Sequence, residues 1–472
     1  MECLHKGKGE NSMAMKKRGG KNPGPVSRFL ERRFLLADHG TSVTTEVRAG
    51  IVTFMTLCYI LFVQRAVLGG TPPHGAGMDP DAVVVAACIA SALATLVMAL
   101  AANYPIALAP CMGENFFFVS VAATAVGGWR TALAAVFVSG AVFLLLSAFR
   151  LRERVIAAVP KSLKYAISVG IGLFIAFIGL QKGGLLAPDP FTFVKLGPLH
   201  SPVALLTVFG LLVTAGLYVR RIPGAFLWGM LATAGAGLAA GMVHFSGLFS
   251  LPPSIVPVFF KLDLAGLISV KMIPVVLIFL FMVLFDTIGT LIGVANQAGL
   301  LENGQLPRAG RALLADAVGT TAGAAMGSST VSAFIESAAG VAEGGRTGLT
   351  SVVTAACFLG AMFCTPLVAM VGGGVIQEGT VYLPVIAPVL IVVGSLMAKS
   401  VKEIEWSDPT EALPSFLVIL GMPLTFNIAN GFALGFVSYP LLKVLAGRWR
   451  EASPLVYVLG LLFLLYFAFL GH

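Results

Sequence analysis

Five carboxylates, Glu114, Asp286, Asp316, Glu336 and Glu343, interrupt otherwise apolar segments of this 472-residue chain. A charged acid at the centre of a bilayer-spanning helix costs about 3 kcal/mol on insertion scales, so such residues face a cavity or a partner and mark substrate or ion pathways. Asp286 has the clearest setting. It follows the apolar run 273–285 and opens Asp286-Thr287-Ile288-Gly289-Thr290, which puts the acid and Thr290 one helical turn apart on one face. Glu336 follows Ser332-Ala333-Phe334-Ile335 and is expected a few residues into a short helix, whose positive end favours an anion. With Ser337 beside it, that carboxylate can accept two adjacent N–H groups of a planar heterocycle, as it accepts a bidentate guanidinium. Asp316 and Glu343 lie nearer the ends of their segments and read as structural acids, Asp316 with Arg308 or Arg311 as its expected partner.

Glu114 shares a segment with Asn115, Phe116, Phe117 and Phe118. Most of the 33 Phe residues pack the bundle or face lipid, but Phe116 lies beside the acid, where a ring can stack on a flat substrate. If Glu114, Asp286 and Glu336 surround one cavity, their like charges repel, and at least one of them is paired or protonated. Two readings stand for Glu114: an ion pair with Arg65 that shapes the pocket, or direct contact with an amino or ring N–H group of the substrate.

The elements that hold these acids are membrane-spanning. The chain is 57% hydrophobic and 11% charged, with a mean hydropathy of +0.92, whereas a soluble globule carries about a quarter charged residues. No Lys or Arg occurs between Arg65 and Arg130, and no Asp, Glu, Lys or Arg from Ile222 to Phe260. Apolar segments are expected near 46–68, 82–102, 111–125, 130–149, 160–181, 202–219 and 223–243, then near 271–297, 310–327, 333–343, 346–371, 382–398, 411–429 and 431–446. Residues 454–470 form one more, which either spans or lies against the bundle. The net charge of +9 comes from cations in short connections, Arg150, Arg152, Arg154 and Lys161, then Arg220 and Arg221, Arg308 and Arg311, and Lys443, Arg448 and Arg450. That is the positive-inside pattern and argues against nucleic acid as a partner; it places the N-terminus in the cytoplasm of a multi-pass protein of the inner (cytoplasmic) membrane. Residues 1–45 read as a mobile, basic cytoplasmic tail with no cleavable signal. Cys58, Cys88, Cys111, Cys357 and Cys364 fall in apolar runs outside any CxxC or Cys/His cluster, so no disulfide framework, metal site or cofactor is expected.

The two sets of seven echo each other. Gly127-Gly128-Trp129-Arg130-Thr131 opens the fourth segment and Gly344-Gly345-Arg346-Thr347 the eleventh, 216 residues apart. Because seven is odd, a duplicated unit inserts upside down, giving an all-α fold of about fourteen spans in two inverted repeats. The third segment of each repeat is short and follows helix breakers, 104–110 in the first and 327–332 in the second. Such stretches are either extended backbone leading into half-helices that meet at a midplane site, or plain loops between ordinary helices.

The stretches "GTSVTTEVRAGIVTFMTLCYILFV", "PKSLKYAISVGIGLFIAFIGL", "FDTIGTLIGVANQAGLL", "IESAAGVAEGGRTGLTSVV" and "MPLTFNIANGFALGF" follow one another from residue 40 onward. In these motifs the chain resembles the adenine/guanine/hypoxanthine permeases of the nucleobase:cation symporter class, which share the uracil-permease architecture. The resemblance implies a core of residues 46–149 and 271–371 that holds the base against a gate of residues 150–270 and 372–447, followed by a C-terminal apolar segment, 448–472. It implies import of a purine (guanine, hypoxanthine or adenine) by proton symport with alternating access, with Asp286 and Glu336 flanking the base and serving as proton-coupling acids, and with Asn115 at the site. Homodimers are common in that fold. The chain departs from the family at Cys111 and Glu114, where Gly and Leu are usual, and at Gln64-Arg65, where Asn-Pro is usual. A carrier of xanthine, uracil or a small anion is the competing reading, since fold does not fix function. The acids argue against an anion. An enzyme is not expected, for want of a nucleophile motif, metal cluster or phosphate loop.

Overall fold

The computed structural model describes residues 25–72, 75–148, 158–269, 272–300, 306–377 and 379–469. Its first half contains α1 (Pro25–Phe34), α2 (Val43–Leu57), α3 (Tyr59–Leu68), α4 (Pro80–Val97) with a π-helical end (Met98–Ala102), β1 (Leu108–Pro110), α5 (Met112–Thr124) and α6 (Trp129–Ala148). Next come α7 (Lys161–Lys182), the hairpin β2 (Leu186–Asp189) and β3 (Phe193–Leu196), α8 (Pro202–Val219) and α9 (Ala225–Ala239). The second half has α10 (Met272–Gln297), α11 (Ala309–Met326), β4 (Val331–Ala333), α12 (Ser337–Ala342), α13 (Gly348–Ala361) and α14 (Thr365–Gly372). It closes with the hairpin β5 (Val375–Gln377) and β6 (Thr380–Tyr382), then α15 (Ala387–Met397), α16 (Pro409–Leu424), α17 (Ile428–Leu445) and α18 (Pro454–Phe469).

Several helices begin where a polar cap meets a proline. Asp79, Ser201 and Asp408 each accept a backbone N–H of the first turn while Pro80, Pro202 and Pro409 occupy the first helical position; the proline loses nothing there because that N–H has no helical partner. Between such caps the residues are apolar enough to cross a bilayer in seven helices of the described residues, and four shorter apolar helices accompany them. This is a mostly helical integral membrane protein.

Each expected apolar segment is helical over much of its length, with instructive departures. The first breaks at Cys58 between α2 and α3. The tenth shrinks to the six residues of α12, so Glu336 is the residue capping that helix rather than one inside it. Three two-stranded pairings qualify the all-helical expectation. The tail is not free from Pro25 onward: Phe34 and Leu36 are buried with Leu349, and Asn103 Nδ2 donates to Phe34 O at 3.1 Å. Arg150, Arg152 and Arg154 lie outside the described residues. Helix α18 lies along α17, burying Val456, Leu459 and Phe463 and exposing Val458, Leu461 and Leu464.

The centre of the molecule is an extended crossover. Strands β1 and β4 pair antiparallel, with Leu108 opposite Ala333 and Pro110 opposite Val331, and all six residues are buried. Backbone outside a helix survives at membrane depth only when its polar groups are met inside the protein. Here Cys111 N donates to Thr330 O at 2.9 Å and Phe334 N to Ala107 O at 3.0 Å. A threonine then clasps each strand from the preceding helix: Thr95 Oγ1 bonds Leu108 N and O, and Thr320 Oγ1 bonds Val331 N and O. The two Gly-Arg-Thr motifs also receive matching treatment. Glu46 accepts the N–H groups of Arg346, Thr347 and Thr350 and the Thr350 hydroxyl, while Asp263 accepts the Thr131 hydroxyl at 2.9 Å and Gly266 N–H at 3.0 Å. Each half thus supplies the acid that secures the other half's motif. Gly127 is required for the second contact, since a Cβ there would lie 2.2 Å from Asp263 Oδ2.

Helices α4, α6, α11 and α13 pack on one another and on α2 around this crossover, whereas α7 packs on α15 and α16, α16 on α17, and α8 on α9. The candidate site lies between these two groups.

Candidate substrate cavity

A cavity of about 1340 Å³ opens between α7 and α15 on one side and α3, α10 and the crossover on the other. That exceeds the range of about 300–1,000 Å³ typical of a small-ligand pocket, as expected of a pocket continuous with a vestibule. Its mouth carries Lys161, Lys164, Arg221 and Lys399, with Glu343 among them. Arg48 Nε pairs with Glu343 at 3.0 Å. The apolar walls come from Met112, Ile171, Ile175, Met282 and Phe226.

Two acids face this space. Glu336 is 8% exposed, and its Oε1 accepts the Tyr59 hydroxyl at 2.7 Å. The other oxygen of the carboxylate retains acceptor capacity toward the cavity. Asp286 lines the same cavity from α10, with Thr290 one turn away; its Oδ2 accepts from Ser332 Oγ at 2.8 Å and Cys111 Sγ at 3.4 Å. Tyr59 and Cys111 went unnoticed in the sequence because an aromatic and a thiol in apolar runs look like core. The single hint was Cys111 standing where the resembled family has Gly.

The remaining candidates sit elsewhere. Glu114 is 1% exposed and does not line the cavity; its Oε2 takes the Thr330 hydroxyl and its Oε1 has no partner. The expected pair with Arg65 does not form, because Arg65 binds Asp81 through Nε at 3.2 Å and a terminal nitrogen at 3.1 Å. Asn115 is buried, its Oδ1 accepting from Ser329 while Nδ2 stays unpartnered. Ser337 Oγ accepts Ala107 N–H at 3.0 Å and so locks the crossover instead of facing the cavity. Phe116 points to another, small cavity of about 50 Å³ beside Thr71, Ile178 and Lys182. There it packs edge-on against Phe174, centroids 6.1 Å apart. Asp316 takes the Thr287 hydroxyl at 2.6 Å rather than an arginine.

Outside the membrane-spanning segments, Asp263 is held below the usual carboxylate range, chiefly by the Gly266 N–H and then by the Thr131 hydroxyl.

The Permease family matches residues 45–434, nearly all of the helical bundle. The chain belongs to the permease family. It is 47% identical over 437 residues to the guanine/hypoxanthine permease PbuO of Bacillus subtilis, covering 91% of this chain and 98% of the relative. It is 42% identical over 438 residues to the adenine permease AdeQ of Escherichia coli, covering 92% and 95%. Among solved structures, the transmembrane domain of the cyanobacterial bicarbonate transporter BicA matches with a TM-score of 0.59 at 12% identity, over 82% of this chain and 97% of that one. The murine anion transporter Slc26a9 in its inward-facing state gives 0.59 at 10% identity, over 93% and 75%. At these identities the likeness is of fold alone. The permease is a transporter and not an enzyme.

Proposed function

We propose that this permease imports a purine nucleobase, guanine, hypoxanthine or adenine, as a proton symporter working by alternating access. The observation that carries the reading is Glu336, a carboxylate anchored on one oxygen by Tyr59 and open to the cavity. A planar base with adjacent N–H donors satisfies it as a guanidinium would, and an anion would be repelled. The relatives support the substrate class, since permeases named for guanine, hypoxanthine and adenine align with almost the whole chain. The cation-ringed mouth, read by the positive-inside rule, faces the cytoplasm, so the cavity is the inward-open state of a cycle in which the α7, α15–α17 group rocks against the α2–α6, α10–α13 group. The paired threonine clasps and the reciprocal acids Glu46 and Asp263 support an inverted repeat of seven spans as the basis for that motion.

Uptake of labelled guanine, hypoxanthine, adenine, xanthine and uracil by transport-deficient cells, with and without a proton uncoupler, tests the reading. Saturable, uncoupler-sensitive uptake of a purine is the expected result. Uptake of uracil or bicarbonate with none of any purine contradicts it.

A further inference from the structure

Behind the base cavity the structure gathers a second polar cluster that base binding does not use. Cys111, Glu114 and Asp286 each bring one potential ligand atom within 4.8 Å of the others. Thr330 and Ser332, on either side of Val331, aim their hydroxyls at Glu114 and Asp286 respectively. The sequence offered no such cluster, because residues 111 and 114 are separated from 286 and from 330 by the length of a repeat. Only the β1–β4 crossover brings them together.

Among the described residues neither Glu114 nor Asp286 forms an ion pair, and the arginine expected nearby is taken by Asp81. Asp316 lies within electrostatic range of both and adds negative charge. Facing carboxylates removed from water repel strongly and are costly without a compensating cation. Glu114 Oε1, fully buried and without a partner, is an acceptor with nothing to accept from. A cation midway between oxygens 4.8 Å apart sits about 2.4 Å from each, within the contact range of hard cations of moderate size.

The ligand types narrow the choice further. Carboxylate and hydroxyl oxygens select hard ions. The thiol of Cys111 is committed as a donor to Asp286 and leaves the oxygens as ligands. Calcium needs six to eight oxygens and magnesium a near-ideal octahedron, more than Glu114, Asp286, Thr330 and Ser332 supply. An ion that must leave in every transport cycle is also better held weakly. We propose that Glu114 and Asp286, with the hydroxyls of Thr330 and Ser332, bind one sodium ion directly behind the base cavity, and that this ion is co-transported. Glu114 is the residue where this chain leaves the pattern of the family it resembles, so the site belongs to this chain and its like. In place of the proton that the resemblance assigns to Asp286, the geometry gives that residue a metal ligand's role. Sodium bound there joins α5, α10 and β4, the elements that set the position of Glu336 at the cavity.

Binding of the ion stands independently of the substrate; only its coupling to uptake rests on the purine reading. The test uses the full-length protein purified in detergent, melted in sodium chloride and in equimolar choline chloride. Sodium raises the melting temperature in a saturable manner, and Glu114→Leu and Thr330→Val each abolish that increment. A melting shift produced by a purine shows that each variant is folded. In cells at fixed pH, replacing sodium by choline lowers the initial rate of purine uptake by about tenfold, equivalent to about 1.4 kcal/mol of coupling. Indifference of both melting and uptake to sodium overturns the proposal, as does stabilisation by zinc or calcium but not sodium, or a sodium increment that survives in Glu114→Leu. A sodium increment without uptake of any purine keeps the ion site and removes the substrate reading.

Discussion

At the scale of single residues the binding of the base turns on Glu336 and its anchor. Replacing Glu336 by Gln keeps the shape and removes the charge that strengthens its hydrogen bonds, worth about 1.5–3 kcal/mol. The expected outcome is a loss of purine affinity of about tenfold or more with the protein still in the membrane, read from competition of labelled guanine uptake. Tyr59→Phe removes the phenol that orients the carboxylate, so its effect is smaller and vanishes in the Glu336→Gln background; additive losses place Tyr59 outside this contact. Asp286, Thr290 and Glu336 were legible in the sequence because charge in an apolar run has few explanations other than a cavity or a partner. Asn115, Phe116 and Ser337 were wrongly grouped with them by adjacency. Neighbours on a helix point about 100° apart, so Phe116 turns to the opposite face from Cys111, and Ser337 turns back onto the crossover. Which neighbour faces the substrate is decided by packing that no local pattern records.

At the scale of elements, helix ends were readable wherever a cap and a proline coincide, as at Ser201-Pro202, where the predicted start of α8 and the observed one agree. The pairing of β1 with β4 was not readable, since a three-residue strand has no periodicity to detect and its partner lies in the other repeat. The acids that join the repeats give two predictions. Glu46 is fully buried, and its carboxylate receives three N–H groups and a hydroxyl at the start of α13. Glu46→Ala strands these donors away from water and costs about 3–5 kcal/mol; Glu46→Gln costs less. Melting in detergent and abundance in the membrane measure the difference, and an Ala variant as stable as wild type refutes it. Asp263 makes the corresponding junction at the surface. Its carboxyl is held low by Gly266 and Thr131, so its contribution to stability is full above the ordinary carboxylate range near 4 and is lost as pH falls through the lowered value. A melting series from neutral to acid pH therefore declines less steeply in Asp263→Asn than in wild type, and identical acid limbs show that Asp263 does not contribute.

At the scale of the whole molecule, the cavity opens on one side and an aromatic stack closes the other. Phe174 on α7 packs edge-on against Phe116 and against Phe426, centroids 5.6 Å apart in the second case, and Phe177 meets Phe426 at 5.9 Å. Phe426 holds a φ of +53°, a conformation that costs a bulky residue energy and persists where surrounding contacts enforce it. Rocking the two helix groups apart must separate Phe116 from Phe174, so this stack is the outer seal of the proposed cycle. Phe174→Ala loosens it. A cysteine introduced as Thr71→Cys beside the small cavity is then labelled faster by an impermeant thiol reagent added outside the cell, and an unchanged labelling rate argues against the seal.

The crossover also bears on how the protein is made. Leu108 and its partner Ala333 are joined only after the ribosome has added a further two hundred residues and more, which at about 5–20 residues per second takes on the order of 10–45 seconds. Throughout that interval β1 has Thr95 to satisfy Leu108 and nothing from β4 for its remaining peptide groups, in a medium where lipid offers no substitute. A nascent chain stopped before Val331 exposes that open edge to the bilayer, where insertion factors and membrane proteases recognise it. The same strand pair that frames the cavity in the finished permease is thus a checkpoint on its completion, failed by any truncated product before transport is ever tested.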